Sequence, residues 1–168
     1  MEPFSRCPVA HWADGLRKCE ASLAESSRQL GITFGTLRAA SVLGAPFASP
    51  LSRYLDHSGP VRVAGWDPPV QAVHYEDVLE ALDLAAQTEF AGAVNIVGRG
   101  VARLSNVAAR SGRVAWPLPA ALVDRMDRTA LGAARLRWRC IADGRLAKQR
   151  LGFHARYGIE EAPTSARS

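Results

Sequence analysis

Hydrophobic positions along this chain change period several times, and each change marks an element. Over residues 10–29, Leu16, Cys19 and Leu23 recur at helical spacing and Gly31 follows as a stop, which predicts a long helix. Residues 32–37 have the β-branched and aromatic content of a buried strand. Residues 39–49, rich in Gly, Pro, Ala and Ser, read as a loop, followed by a short helix over 50–56 and a strand over 61–64. In Gly65-Trp66-Asp67-Pro68-Pro69 two prolines withdraw backbone donors and fix the chain direction, which predicts a turn. A strand over 70–74 then runs into a helix opened by Glu76 and Asp77, since negative charge is favoured at a helix start. Val78, Leu82 and Ala85 fall on its apolar face, with Glu80, Asp83 and Gln87 opposite. Residues 93–97 form an apolar run suited to a buried strand. Ser105 is placed to cap a helix over 106–110 that Gly112 ends. A strand over 114–116, a helix over 120–131 introduced by Pro117 and Pro119, and a last element over 143–151 closed by Gly152 complete the pattern. Strands alternating with helices imply an α/β arrangement.

Composition narrows this picture. With 168 residues, 48% of them hydrophobic, the chain can bury one core of ordinary size, so a single domain over residues 1–162 with a frayed tail at 163–168 is expected. No window approaches the length of apolar residues that a membrane span needs, and MEPFSRCPVAHW has neither a basic leader nor an apolar core. Cys7, Cys19 and Cys140 are scattered and odd in number, which suits buried thiols in a reducing cytoplasm rather than a disulfide framework. None of them lies at metal-ligand spacing from a histidine, so no metal site is expected. The net charge of +5 is uneven: residues 1–98 hold 7 basic and 11 acidic side chains, residues 99–156 hold 13 and 3. The excess is nearly all Arg and is spread over several elements, which argues against a nucleic-acid surface.

Three blocks carry a family resemblance. The first is Phe34-Gly-Thr-Leu-Arg38-Ala-Ala-Ser-Val42-Leu-Gly44-Ala-Pro46. The second is Val73-His-Tyr-Glu76-Asp77-Val78, leading through a helix into Val94-Asn95-Ile96-Val97-Gly98 and Leu104-Ser105. The third is Asp143-Gly-Arg-Leu146-Ala-Lys-Gln-Arg-Leu151-Gly152-Phe153-His-Ala-Arg-Tyr157. In order and interval they resemble the C-terminal half of the extended short-chain dehydrogenase/reductase family, the NAD(P)-dependent epimerases and dehydratases of nucleotide sugars. Ala39 and Ala155 stand where that family commonly has Pro, and Ala45 separates Gly44 from Pro46. The resemblance implies an incomplete Rossmann-like α/β fold made of the C-terminal strands and substrate-side helices. It also implies NAD or NADP as cofactor and a nucleotide sugar or related small molecule as substrate. In the family the first block ends beside the nicotinamide, which implies cofactor contacts at Arg38, Ala40, Ser41 and Val42. Arg99 and Arg103 are the arginines best placed to grip a nucleotide diphosphate, with a solvated surface charge as the alternative.

Hydride chemistry needs more than these blocks. The pyrophosphate of a dinucleotide sits on a G-x-G-x-x-G turn after a first strand. Nothing before Gly31 offers one, and Gly98-Arg-Gly100 has Arg103 at the third position. The family also relies on a Tyr-x-x-x-Lys pair, whose lysine lowers the phenol's pKa for proton exchange. Four residues after Tyr54, Tyr75 and Tyr157 stand Ser58, Leu79 and Glu161. On the N-terminal helix, the counterpart of the family's catalytic helix, Lys18 is matched by Asp14 and Trp12 by Leu16. His11 and Lys18, two turns apart, form the remaining acid/base candidate, against a solvated His and a surface Lys. His74 reads as a strand-end residue at a helix cap, Glu76 and Asp77 as helix-start acids, and Trp66 and Trp116 as packing residues. The expectation is a chain that neither binds the cofactor tightly nor turns over substrate alone. Its partners would be a cofactor-binding half or a second copy, joined through residues 12–23. The alternative is a non-catalytic dimerisation module.

Overall fold

The computed structural model describes residues 10–44, 49–57, 59–127 and 141–161. In chain order the elements are α1 (Ala10–Leu30), β1 (Gly35–Ala39), β2 (Ser41–Leu43), α2 (Pro50–Asp56), β3 (Val61–Val63), β4 (Pro69–Val70), β5 (Ala72–His74) and α3 (Tyr75–Gln87). Then follow β6 (Gly92–Ile96), β7 (Ala102–Arg103), α4 (Leu104–Arg110), β8 (Trp116–Leu118), α5 (Ala120–Asp127) and α6 (Arg145–Leu151). Parallel pairs β1–β6, β2–β5 and β3–β8 and the antiparallel pair β4–β7 make this the expected α/β, incomplete Rossmann-like arrangement. The helix predicted over 120–131 is described as far as Asp127, and the tail at 163–168 lies outside the described residues.

Several expected elements move, each for a local reason. Ile32 is 60% exposed and belongs to the end of α1, where Gly31 turns the chain at φ 67° and the Ile32 N–H reaches back to Ser27 O. β1 therefore starts three residues later, at Gly35, whose face lies flat on the Phe90 ring where a Cβ would sit 2.5 Å from Cζ. Part of the expected 39–49 loop is β2: at Ala40 the N–H still bonds Ile96 O, and from Ser41 the chain pairs with β5 instead. The single strand expected over 70–74 divides at Gln71, with Val70 opposite Ala102 and Ala72 opposite Ser41. The final strand lies over Trp116–Leu118 rather than 114–116, and Pro117 fits because the ladder with β3 uses the Trp116 N–H and the Leu118 C=O.

Burial corrects three side-chain readings. On α3 the inward row is Asp77 and Ala81, flanked by Val78, Leu84 and Ala85, while Leu82 is 52% exposed; buried Asp77 turns the stripe toward itself. Cys19 is exposed rather than buried, because it shares the outward face of α1 with Leu16 and Leu23; Cys7 and Cys140 lie outside the described residues. Trp66 and Trp116 are exposed, not core.

The interior divides into two apolar clusters. One gathers Leu43, Leu51, Tyr54, Leu55, Val107 and Ile159 around α2, α4 and the β3–β8 pair. The other gathers Val73, Ala81, Val94, Ile96, Leu151 and Phe153 beneath α3 and α6. The chain after α6 links them. Gly152, at φ 68°, ends the helix, and the strap formed by residues 153–161 carries Phe153 into the second cluster and Ile159 into the first. Among the described residues no helix is long and apolar enough to cross a membrane.

Candidate functional site

In parallel α/β sheets ligands bind outside the carboxyl ends of the strands. Here those ends, from β2, β5 and β6, meet at the strap. His74 closes β5 and caps α3: its buried imidazole Nδ1 accepts the Glu76 N–H at 3.3 Å, so in the neutral ring the proton sits on Nε2. The ring lies between Tyr75 and Tyr157, with centroids 4.8 and 4.3 Å away. Opposite, Gly44 ends β2 at φ 93°, where a Cβ would stand 2.7 Å from Tyr75 Cδ1 and 2.9 Å from His74 Nε2. Only glycine lets the two strand ends approach this closely.

Acids of α3 hold the strap. Tyr157 donates its hydroxyl to Glu76 Oε2 at 2.5 Å, and Tyr75 donates to Oε1 at 3.3 Å. Fully buried Asp77 accepts the Arg156 N–H at 3.0 Å and the Tyr157 N–H at 3.3 Å. Glu80 meets the Arg156 guanidinium at 2.9 Å. From the β6 side, the Arg99 N–H bonds Tyr157 O, the Ile159 N–H bonds Arg99 O, and the Arg99 guanidinium pairs with Glu161 at 2.9 Å.

The electrostatics follow from these contacts. The Tyr157 hydroxyl, with the Tyr75 hydroxyl and the Arg156 charge behind it, holds Glu76 below its ordinary range. The same hydrogen bond and the Glu76 charge push Tyr157 up. The Gly158 N–H and Arg99 hold Glu161 down. An ionised acid facing a protonated phenol is stable as it stands, which is the reverse of a pair poised to exchange a proton near neutrality.

The candidates read from sequence are scattered over this frame. The side chain of His11 lies outside the described residues, and Lys18 is exposed on α1. Arg38 is clasped by Glu20 of α1, Nη2 to Oε1 at 2.7 Å and Nε to Oε2 at 3.2 Å. The Ala40 N–H is taken by Ile96 O, and Ser41 and Val42 pair with Ala72 and Val73. Together they offer no Gly-rich turn at a helix start. Arg99 joins the strap, whereas Arg103 donates to the Asp67 carbonyl at 2.8 Å. Ser105 does not cap α4, which begins at Leu104; the Asp67 carboxylate reaches across instead and takes the Ser105 N–H at 3.0 Å and hydroxyl at 2.6 Å. His74 is the helix cap that its position implied.

Nothing local in the sequence marks the contacts of Tyr157 or Glu161, whose partners Glu76 and Arg99 lie 81 and 62 positions away. An open groove of about 360 Å³, lined by Glu20, Ala24, Ser27, Phe34, Thr36 and Gly92 among others, lies at the amino ends of β1 and β6. That is the wrong end of a parallel pair for a substrate site. Among the described residues no His, Cys, Asp and Glu side chains gather into a metal-binding group.

Comparison with solved structures identifies the architecture. A UDP-glucose 4-epimerase from Thermotoga maritima, solved with UDP-glucose, aligns over 89% of this chain and 49% of its own, with a TM-score of 0.61 at 21% identity. A UDP-glucuronic acid 4-epimerase from Bacillus cereus, solved with NAD, aligns over 96% of this chain and 50% of its own, with a TM-score of 0.61 at 15% identity. The α/β fold of this chain is shared with about half the length of these two proteins. Uncharacterized proteins of Mycobacterium bovis and Mycobacterium tuberculosis are 37% identical over 94 residues, 55% of this chain and 24% of theirs. The chain thus spans about a quarter of the curated relatives it matches and about half of the epimerases it overlays. No family model matches it.

Proposed function

We propose that these residues form the substrate-side, C-terminal half of an NAD-dependent epimerase or dehydratase of the nucleotide-sugar type, acting in a reducing cytoplasm. The observation that carries this reading is the order of three parts: the β1–β6 parallel pair, the His74-capped helix entering β6, and the LGF strap. All three come in the sequence of the three family blocks, on a fold shared with UDP-sugar epimerases. The reading treats residues 1–162 as one domain. It also holds that the residues here neither bind NAD or NADP tightly nor turn over substrate. The Gly-rich turn and the Tyr–Lys pair would be supplied by polypeptide outside these 168 residues, whether joined to them or carried by a partner. Arg99 and Glu161, at the carboxyl end of β6, are the side chains nearest to a nucleotide-sugar role, and Arg99 would have to leave Glu161 to grip a diphosphate. Titration calorimetry of the purified chain with NAD and NADP tests this: the expected result is no saturable heat, and appreciable binding would defeat the reading.

A second reading is favoured by α1. Leu16, Leu23 and Leu30 are 60%, 50% and 72% exposed, and Cys19 is exposed with them, so an apolar stripe runs along the helix. On this reading the chain is a dimerisation module. Sedimentation velocity should show a dimer that Leu16→Glu with Leu23→Glu dissociates, and a monodisperse monomer of the unaltered chain counts against it.

A further inference from the structure

The strap crosses the seam between the two apolar clusters, and His74 sits where it is fastened. We propose that His74 is a proton-operated latch: its neutral ring holds the strap closed, and its protonation releases the strap.

The geometry turns on one oxygen. In the neutral ring Nδ1 is an acceptor and takes the Glu76 N–H, while Glu76 Oε2 takes the Tyr157 hydroxyl. Once protonated, Nδ1 becomes a donor. The Glu76 N–H then faces a second N–H and loses its acceptor, so the start of α3 is uncapped. The new donor finds Glu76 Oε2 at 4.0 Å, the oxygen already committed to Tyr157. The imidazolium and the phenol therefore compete for one acceptor, and the phenol, being neutral, is the weaker claimant.

The groups facing His74 fix the direction. From α3 comes Glu76, with Asp77 and Glu80 following it along the helix, and Tyr75 stacks on the ring. From the strap come Tyr157 and Arg156, the latter paired with Glu80. The end of β2 contributes Leu43 and Gly44, which do not titrate. Asp77 is held by two strap N–H groups and Glu80 by Arg156, so Glu76 is the acid that can turn to the imidazolium. Its turning detaches Tyr157.

Hydrogen exchange on the full chain tests the latch. The Arg156, Tyr157 and Ile159 amides all donate to protein acceptors and report strap opening. Going from about pH 7.5 to about pH 5.5, where an imidazole changes charge, their protection, corrected for intrinsic exchange, should fall about tenfold. In His74→Asn, which keeps a capping acceptor and cannot titrate, it should stay constant. Unchanged protection in the unaltered chain, or the same fall in the variant, would overturn the proposal. A measurement without substitution stands beside it: the midpoint of strap opening must coincide with the titration of the His74 ring followed by imidazole NMR. A mismatch between the two midpoints equally sinks the latch.

Discussion

Replacing Asp77 by Ala separates two accounts of the same residue. As a helix-start acid, Asp77 would contribute through the helix dipole, about 0.3–1 kcal/mol. In the structure its side chain is fully buried and accepts the N–H groups of Arg156 and Tyr157 at 3.0 and 3.3 Å, from residues 79 and 80 positions away. Hydrogen bonds to a charged acceptor each contribute about 1.5–3 kcal/mol, and the longer one belongs at the lower limit. Water can reach part of the half-buried strap in the variant, so the expected loss is about 3 kcal/mol. That is a large share of the roughly 5–15 kcal/mol that holds a domain together. At about 2–4 °C per kcal/mol for this chain length, the melting temperature should drop by roughly 6–12 °C. Asp77→Asn keeps one acceptor oxygen and should lose about half as much.

Urea unfolding followed by circular dichroism measures the stability change, and exchange at the Arg156 and Tyr157 amides localises it. A loss below about 1 kcal/mol would restore the dipole account. A large loss with undiminished protection at those two amides would be just as damaging, since the energy would then lie elsewhere.

Four further outcomes follow from single contacts. Gly98→Ala places a Cβ 2.5 Å from Ala72 O, where β5 and the end of β6 share a backbone bond, and should cost about 1–3 kcal/mol in urea melts. Asp67→Ala removes the acceptor of both the Ser105 N–H and hydroxyl and should cost about 1–2 kcal/mol by the same measurement. Burial pushes the Tyr54 hydroxyl, which donates to Val61 O at 3.0 Å, up to about 12. Its contribution is complete below the ordinary tyrosine range and is lost as pH rises toward that value. Ultraviolet titration should therefore show one late phenol that Tyr54→Phe removes. Glu76, Asp143 and Glu161 are all held below their ordinary range, so their stabilisation is present at neutral pH and lost as pH falls through their lowered values. Urea midpoints should decline from about pH 5 downward, and less steeply in Glu161→Gln.

Elements announced by local chemistry were legible in the sequence. Ser49-Pro50 starts α2 with a side-chain cap and a proline in the first turn, and Gly31 and Gly152 stop their helices in the left-handed conformation. Elements that exist through a distant partner were not. Three-residue β2 has no periodicity to read and is a strand because β5 lies beside it. Gln71 divides a run of strand formers because Val70 on one side pairs with Ala102 and Ala72 on the other pairs with Ser41, both distant in sequence. Asp67 looked like a turn residue and Ser105 like a cap, yet capping came from the first to the second across 38 positions. Tyr157 was visible within the LGF block, but nothing local says that its hydroxyl finds Glu76. The resemblance marked the blocks and left the acid–phenol contacts between them unread.

The two functional readings converge on one surface. A parallel sheet is stable when both faces and both edges are covered. β1 pairs with β6 on one side, and among the described residues no other strand pairs with it. Its exposed Arg38 holds α1 by an ion pair with Glu20, while Leu16, Leu23 and Leu30 of α1 stay in solvent. An ion pair of this exposure contributes at most about 1 kcal/mol, too little to justify leaving three leucines wet. Both proposed readings place an apolar partner against α1. If it is the cofactor half, a strand pairs with the free edge of β1 and α1 is buried with it. If it is a second copy, α1 is covered and the β1 edge stays open to exchange. Protection of the Leu37 amide, which points away from β6, separates the two in the assembled state.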